Sequence, residues 1–595
     1  MNEKAVFQKR IYSLIAIAVV IFLIFGIRLI DVQAVQAKGF AQRATNEMWN
    51  SSTLLAPRGT ISDVNGIELA RSVAAINIVV DQTMITDPQT TATITSPILH
   101  IPAATLTSLF TGKKRYQVIS KQATPSTWVN LNSALDKYNA QVMKERGGVA
   151  KRIVGFFSER SYVRDYPTGR LAASLVGIIN DAGVGASGLE SSMELTLAGK
   201  NGRYDYANGA GTIIPGSQQF VTEAKSGKGI QLTIDRDIQW VAQNAISKAV
   251  KSAQAASGTV IVMDPKTGEI LAQASAPNFD PANKKSITVE SLRNPAVQDV
   301  YEPGSTGKIV TIASAIEEGK TTPETVWTIP YMYKVGSGKF HDAEKHKTER
   351  LTTAGVLAQS SNVGAIQIGQ TLSNETFYSY LTKFGMGQST GSHLPGESPG
   401  LLPKVDTWSG TSAPTIAFGQ GYSVTALQAT SVFATIANDG IRVTPNVIAG
   451  YVDSSGGFKP SKPQATLRVV SPTTAKEMRL IMESVVSEQG TAPAAAIPGY
   501  RIAGKTGTAQ RADETCHCYR GYTSSFIGFA PADQPKYVVS VVIQNPKGQH
   551  FGGVIAAPVF KSVMSFVLQS KHVPPTNTKK ISYALNEANL KKKSA

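Results

Sequence analysis

The chain has 595 residues, 42% of them hydrophobic and 17% charged, which is too long for one ordinary domain and too apolar for a disordered chain. Lysine and arginine number 59 against 42 acidic residues, a net charge of +17; in a cytosolic chain that would suggest a nucleic-acid partner. No repeat with a period of roughly 20–50 residues is visible, which excludes a solenoid or a propeller and leaves two or three packed units.

The first informative stretch is Ile11–Ile27, which carries no charge. At about 1.5 Å per residue it just crosses a hydrocarbon core, and Leu29 and Ile30 extend it to a transmembrane helix over 11–30. Lys4, Lys9 and Arg10 precede it, so residues 1–10 are expected in the cytoplasm and the rest outside, as a single-pass protein of the cytoplasmic membrane. A cleaved signal peptide is the rival, because Val35-Gln36-Ala37 ends on small residues. The apolar run, however, exceeds the roughly 7–15 residues of a signal core. Export removes nucleic acid as a partner. The polyanions outside are lipid headgroups and cell-wall polymers, and a generally basic surface explains the charge most simply.

Residues 31–225 read as polar and irregular, with short apolar runs at Ala75–Val80 and Leu171–Ile179. The glycine-flanked stretch 185–202 reads as a short helix between turns, and nothing in this region looks catalytic. The texture changes near Gly229. Ile230–Ile234 alternates like a strand, and Asp235 caps a helix running through Ala253. Gly258–Ala274 reads as two apolar strands joined at Asp264-Pro265-Lys266-Thr267-Gly268, a hairpin. Ser525–Ala530 and Lys536–Gln544 form a second pair, followed by an amphipathic helix from Pro558 to about Gln569. Strands at both ends of one block, 226–570, with helices between, predict a single antiparallel sheet built from distant segments: an α+β fold. Residues 571–595 read as a basic tail, with Lys591-Lys592-Lys593 solvated. The only cysteines, Cys516 and Cys518, are too few for a disulfide framework. With His517 they fall one ligand short of a zinc site, so a local bridge and two free thiols both remain open.

Inside the block lies Glu302-Pro303-Gly304-Ser305-Thr306-Gly307-Lys308. Apolar periodicity from Ile309 marks a helix ending near Gly319, which places Ser305 and Lys308 three residues apart on one face. A serine hydroxyl needs a base, a desolvated lysine can be one, and a helix N-terminus favours the developing negative charge. S-x-x-K alone is weak and equally describes a capped helix with a surface lysine. Two further signals follow in order: Ser360-Ser361-Asn362 at a helix start, and Gly504-Lys505-Thr506-Gly507-Thr508 before the closing strands. Lys266-Thr267-Gly268 also matches K-T-G, but it precedes the serine and fills a turn, where Thr-Gly is ordinary.

The ordered series S-x-x-K, S-x-N, K-T-G is the signature of penicillin-binding proteins and serine β-lactamases, and nearly the whole chain resembles a class B penicillin-binding protein. Arg58-Gly59-Thr60-Ile61-Ser62-Asp63-Val64-Asn65-Gly66 resembles the family's first pedestal motif, with valine at 64 in place of the usual arginine. Arg164, Tyr166-Pro167 and Gly185-Ala186-Ser187-Gly188-Leu189-Glu190 resemble the later ones. Gly419-Gln420-Gly421 and Ser525–Pro531 resemble stretches flanking the active site. The resemblance implies a penicillin-binding transpeptidase fold, with a helical subdomain, over 226–570. It would stand on an elongated N-terminal pedestal or dimerisation-like domain over 31–225.

It also implies a serine D,D-transpeptidase of the septal type. Lys308 would deprotonate Ser305, which attacks the penultimate D-alanine carbonyl of a stem peptide. Backbone N–H groups of Ser305 and Thr508 would form the oxyanion hole. Ser360 would relay the proton to the leaving amine, and Asn362 would hold the donor's amide. Lys505, Thr506, Gly507 and Thr508 would bind the donor and its terminal carboxylate, with the peptide added along the strand near Lys505. No cofactor or metal is required. The partners implied are D-Ala-D-Ala stem peptides, β-lactams, a membrane-embedded glycosyltransferase and division-complex proteins. An elongation-type transpeptidase, a D,D-carboxypeptidase and a penicillin sensor are the alternatives; a sensor would be expected to carry extra membrane spans.

Overall fold

In a computed structural model, residues 3–594 are described apart from 210–211, 214–216, 218, 514–515, 517, 577 and 579–581. A helix runs over Glu3–Ile30 and continues through a wider turn, Asp31–Val35. Its apolar part, Phe7–Val35, is long and apolar enough to cross a membrane, and none of it is buried. The helix starts before the expected residue 11 because Glu3–Arg10 contains good helix formers that extend it on the polar side.

Contacts divide the chain into two compact units. The first comprises Met1–Pro57, Ala74–Tyr162 and Gly199–Ser226. Here the sequence reading is corrected: the segment is not irregular. Ile76–Val80 pairs antiparallel with Gln117–Ala123, and helices Pro88–Leu99, Ala103–Phe110 and Pro125–Val142 pack around a core of Ile78, Val80, Leu106, Phe110 and Leu131. Threonines obscured the periodicity. Thr91 and Thr95 are buried yet satisfied, donating to the carbonyls of Asp87 and Thr91 four residues back. The helix starts were legible as Asp87-Pro88 and Thr124-Pro125, a capping side chain followed by a proline whose missing N–H costs nothing there. Asp87 accepts from the Gln89 and Thr90 amides, and Thr124 from that of Thr127.

The second unit comprises Arg58–Val73, Val163–Ala198 and Gly227–Ala595. Its centre is the expected antiparallel sheet, five strands in the spatial order Ile270–Ala276, Ser257–Met263, Tyr537–Gln544, Cys518–Ala530, Ala503–Asp513. Gly258↔Ala276, Ala530↔Tyr537 and Lys505↔Ile527 pair strands near in sequence, while Ser257↔Gln544 joins the two ends of the block, almost 300 residues apart. Every residue of Ile270–Ala276 is buried, because both sheet faces are covered. Helices Arg236–Ser252 and Ala557–Ser570 cover one face and Ala426–Ala437 the other. Continuous apolar runs such as Val260–Met263 suit that two-sided burial; an alternating strand would not. The Lys266-Thr267-Gly268 copy of K-T-G lies in a hairpin turn, with Gly268 at φ 77° and the Asp264 carboxylate accepting from the Lys266 and Thr267 amides.

Arg58, Arg164 and Glu190, all in this unit, meet in a buried ionic cluster. Glu190, wholly buried, accepts from Arg58 Nε at 2.5 Å and Arg164 Nε at 2.7 Å, and Arg58 Nη1 lies 2.7 Å from Glu194. Val64 reaches solvent, and its backbone donates to the Ile234 carbonyl and accepts from Gln231 Nε2. Cys516 and Cys518 are joined by a disulfide, which settles the open alternative in favour of a bridge. Thr515 and His517, the other residues of that run, lie outside the described residues.

Candidate active site

Pro303 and Gly304 end an extended segment and start a single tight turn, Gly304–Thr306, that holds a half-buried Ser305 just ahead of helix Lys308–Glu317, whose residues 308–316 are all buried. The turn is held from across the unit. Gly304 N–H donates to the Gly419 carbonyl at 2.8 Å. Gly419 sits at φ 92°, and a Cβ there would come within 1.8 Å of the Gly304 carbonyl oxygen, so this backbone approach requires glycine.

Lys308 is wholly buried and its Nζ lies 3.0 Å from Ser305 Oγ, 2.5 Å from the Ser360 carbonyl, 2.8 Å from Asn362 Oδ1 and 3.3 Å from Ser360 Oγ. Burial pulls its pKa down to about 7, against the opposing charge of Asp342. With the amine neutral, two N–H groups serve the Ser360 carbonyl and Asn362 Oδ1, and the lone pair is left for the Ser305 hydroxyl. That is the arrangement of a base and its nucleophile.

The S-x-N segment is local in origin. Ser361 caps helix Asn362–Gly369, its hydroxyl accepting from Gly364 N at 2.9 Å. Ser360, just before it, takes the left-handed conformation at φ 64°, uncommon for a non-glycine residue. That conformation aims both its carbonyl and its hydroxyl at the lysines. Asn362 donates one amide hydrogen to the His341 carbonyl at 3.1 Å, which leaves the second hydrogen of its NH2 for another acceptor.

K-T-G lies within the edge strand Ala503–Asp513, not ahead of it. Lys505 is also wholly buried, with Nζ 2.9 Å from Ser360 Oγ and 3.2 Å from both the carbonyl and Oγ1 of Thr506. Burial, and then repulsion by Lys308, push its pKa well below the ordinary lysine value. Thr506 Oγ1 meets Thr491 Oγ1 at 2.8 Å, and Thr508 Oγ1 accepts from Gly552 N at 3.2 Å. Gly507 brings this strand against the nucleophile turn: a Cβ there would lie 3.0 Å from the Pro303 carbonyl and 2.3 Å from Ser525 Oγ. Ser305, Asn362 and Thr508 line one cavity of about 300 Å³ with Lys339, Phe340, His341, Phe418, Gln420 and Gln510.

All eight residues singled out by the motifs therefore converge. Those the sequence did not reveal are Asp342, whose carboxylate acts on Lys308, and the wall residues His341, Phe340, Phe418 and Gln510. None of these belongs to a motif with a mechanism of its own; Phe418 could have been suspected from its place beside Gly419-Gln420-Gly421.

Comparison with known proteins agrees along the whole chain. The family model for the penicillin-binding protein transpeptidase domain matches residues 258–565, and that for the penicillin-binding protein dimerisation domain matches residues 53–232. Penicillin-binding protein PbpB of Mycolicibacterium smegmatis is 37% identical over 604 aligned positions, covering 96% of this chain and 92% of that protein. Peptidoglycan D,D-transpeptidase FtsI of Buchnera aphidicola is 31% identical, covering 96% of each. The crystal structure of penicillin-binding protein 3 from Mycobacterium tuberculosis complexed with ampicillin superposes with a TM-score of 0.71 at 32% identity, over 90% of this chain and 100% of that one. The chain belongs to the class B penicillin-binding proteins, the monofunctional peptidoglycan D,D-transpeptidases, and is most similar to those of the septal type.

Proposed function

We propose that this protein cross-links peptidoglycan stem peptides through an acyl-enzyme on Ser305, that β-lactams acylate the same oxygen, and that it works in septal wall synthesis. The observation that carries the reading is the 3.0 Å approach of a buried, readily neutralised Lys308 amine to Ser305 Oγ.

Neutral Lys308 takes the Ser305 proton as Oγ attacks the penultimate D-alanine carbonyl. The oxyanion is met by the backbone N–H groups of Ser305 and Thr508, which line the same cavity. Ser360, touching both lysines, passes the proton to the departing D-alanine amine. Asn362 holds the donor's amide with the hydrogen that His341 does not use. The donor lies antiparallel along the unpaired edge of Ala503–Asp513, as an added strand. Lys505 has a conditional role. Burial and then Lys308 lower its pKa. A bound carboxylate favours the charged form, and that charge in turn favours neutral Lys308. A stem-peptide amine then displaces Ser305 and releases the cross-linked product. No metal or organic group is needed for any step.

The helix Phe7–Val35 supports a single-pass anchor, with residues 1–10 cytoplasmic and the catalytic unit outside. Such an anchor would concentrate the enzyme beside lipid-linked substrate, a membrane-embedded glycosyltransferase and division-complex proteins.

The test is donor turnover with and without an amine acceptor. A peptide ending in D-Ala-D-Ala should yield the aminolysis product; hydrolysis alone, at every acceptor concentration, would make the protein a carboxypeptidase. In the same assay Lys505→Ala should weaken donors with a free carboxylate about 10–100-fold, the worth of one charge-assisted contact. Donors amidated at that carboxylate should lose much less. Equal losses would remove Lys505 from carboxylate recognition.

A further inference from the structure

Asp342 lies beyond the three motifs, at the end of strand Gly338–His341, and its carboxylate is saturated with contacts to the S-x-N segment. Oδ1 accepts from the backbone N–H groups of Asn362 at 2.5 Å and Val363 at 3.0 Å. Oδ2 accepts from Ser361 Oγ at 2.8 Å and faces His346 Nε2 at 3.1 Å. Asp342 thus places a full negative charge on the first N–H groups of helix Asn362–Gly369, where the helix dipole and unpaired donors favour it. It also fixes the Ser361 hydroxyl, which must donate to Asp342 because it accepts from Gly364. What it anchors are the residues on either side: Ser360, held at φ 64°, and Asn362, both of which grip Lys308 Nζ.

The imidazole contacts carry a second message. His346 Nδ1 lies 2.7 Å from the Lys347 carbonyl, and Nε2 faces the Asp342 carboxylate. Both partners are acceptors only, and a neutral imidazole has a single N–H, so both bonds form together only in the imidazolium. The groups around the ring are Asp342, the negative charge of Glu349 and the Tyr331 ring, edge-on at 5.9 Å. Burial pulls the imidazole pKa down, but the Lys347 carbonyl and the two carboxylates outweigh it, and the net shift is upward. The doubly bonded state is therefore complete at acid pH and is lost as pH rises through that raised value.

We infer that Asp342 and protonated His346 are a positioning pair: together they lock the Ser360-Ser361-Asn362 segment onto Lys308 and make acylation of Ser305 depend on the His346 proton. This rests on the reading of Ser305 and Lys308 given above.

The experiment measures the rate of acylation by a fluorescent penicillin from about pH 6 to 9, on the detergent-solubilised full chain, alongside its melting temperature. Wild type, Asp342→Asn, His346→Ala and His346→Gln are compared. The wild-type adduct at Ser305 is the control. If it is missing, the site reading itself fails; if it is present and the variants behave like wild type, only the pairing fails. Asp342→Asn should acylate about 100-fold more slowly, as for a displacement of roughly 1 Å in a reacting group. Its rising limb should also move to lower pH, because the charge that holds the proton on Lys308 is gone. The ratio of wild-type to His346→Ala rates should be about tenfold at acid pH and fall toward one at alkaline pH. Against His346→Gln, which keeps one uncharged donor, the ratio should be smaller at acid pH and vary less. A wild-type to His346→Ala ratio that stays constant across pH would show that the ring only fills space, and would overturn the pair. An Asp342→Asn rate and limb equal to wild type would do the same. Should Asp342→Asn fail to fold, the His346 ratios decide the matter alone.

Discussion

Replacing Lys308 by alanine should slow penicillin acylation by about a thousandfold or more while leaving non-covalent donor binding largely intact. The expected size is that of a general base at the upper end of its range. The loss is that large because no other group within the network can take the Ser305 proton in its place. Asn362 Oδ1 and the Ser360 carbonyl are amide oxygens, far too weakly basic to take a proton, and Lys505 reaches Ser360, not Ser305. Alanine also leaves a cavity in a helix whose residues 308–316 are all buried. Lys308→Met, which fills the space without a base, should therefore show the same acylation defect with a smaller drop in melting temperature. In His346→Ala, where no histidine proton offsets it, the acylation rate should climb as pH rises through about 7, where Lys308 loses its proton. Below that value Lys308 is an ammonium with no lone pair to offer; an ordinary lysine would place the same limb near 10. A His346→Ala rate independent of pH between about 6 and 9 would remove Lys308 as the base.

Replacing Glu190 by alanine should cost about 3–5 kcal/mol of stability, because it strands the buried guanidinium of Arg164 and leaves that of Arg58 with Glu194 alone. Arg58 and Arg164 have side chains 8% and 2% exposed and share this one wholly buried carboxylate. Arg58 has Glu194 as a second partner at 2.7 Å, whereas Glu190 is the ion partner of Arg164. The measure is the urea midpoint of the full chain in detergent, with the acylation rate per folded molecule followed in parallel. The midpoint should drop steeply while that rate holds, since Glu190 touches none of the residues around Ser305. A change below about 1 kcal/mol would mean that water or Glu194 takes over the arginines.

The three candidate-site motifs were legible because each is a local pattern: S-x-x-K and S-x-N sit at helix starts, and K-T-G in a strand. Their order along the chain turned three weak signals into one. Their convergence was legible only by resemblance, since nothing local says that Lys505 will share the Ser360 hydroxyl with Lys308. Asp342 and His346 could not be read for the same reason. They act through backbone N–H groups some 20 residues downstream, and a lone D-x-x-x-H has no mechanism of its own. The central sheet was predictable from runs of two-sided burial such as Val260–Met263. The helices of Ala74–Tyr162 were missed because threonines that bond their own backbone blur the apolar period. The charge state of Lys505 also escaped sequence reasoning. A lysine in K-T-G reads as an ordinary cation, whereas full burial beside a second lysine lowers its pKa.

The central claim is that one oxygen, Ser305 Oγ, carries the acyl group. The most direct measurement is intact-protein mass spectrometry of the full chain after reaction with a labelled penicillin, followed by peptide mapping. The account predicts a single adduct, located on Ser305 and absent from Ser305→Ala. An adduct on any other residue, or one that persists undiminished in Ser305→Ala, would contradict it.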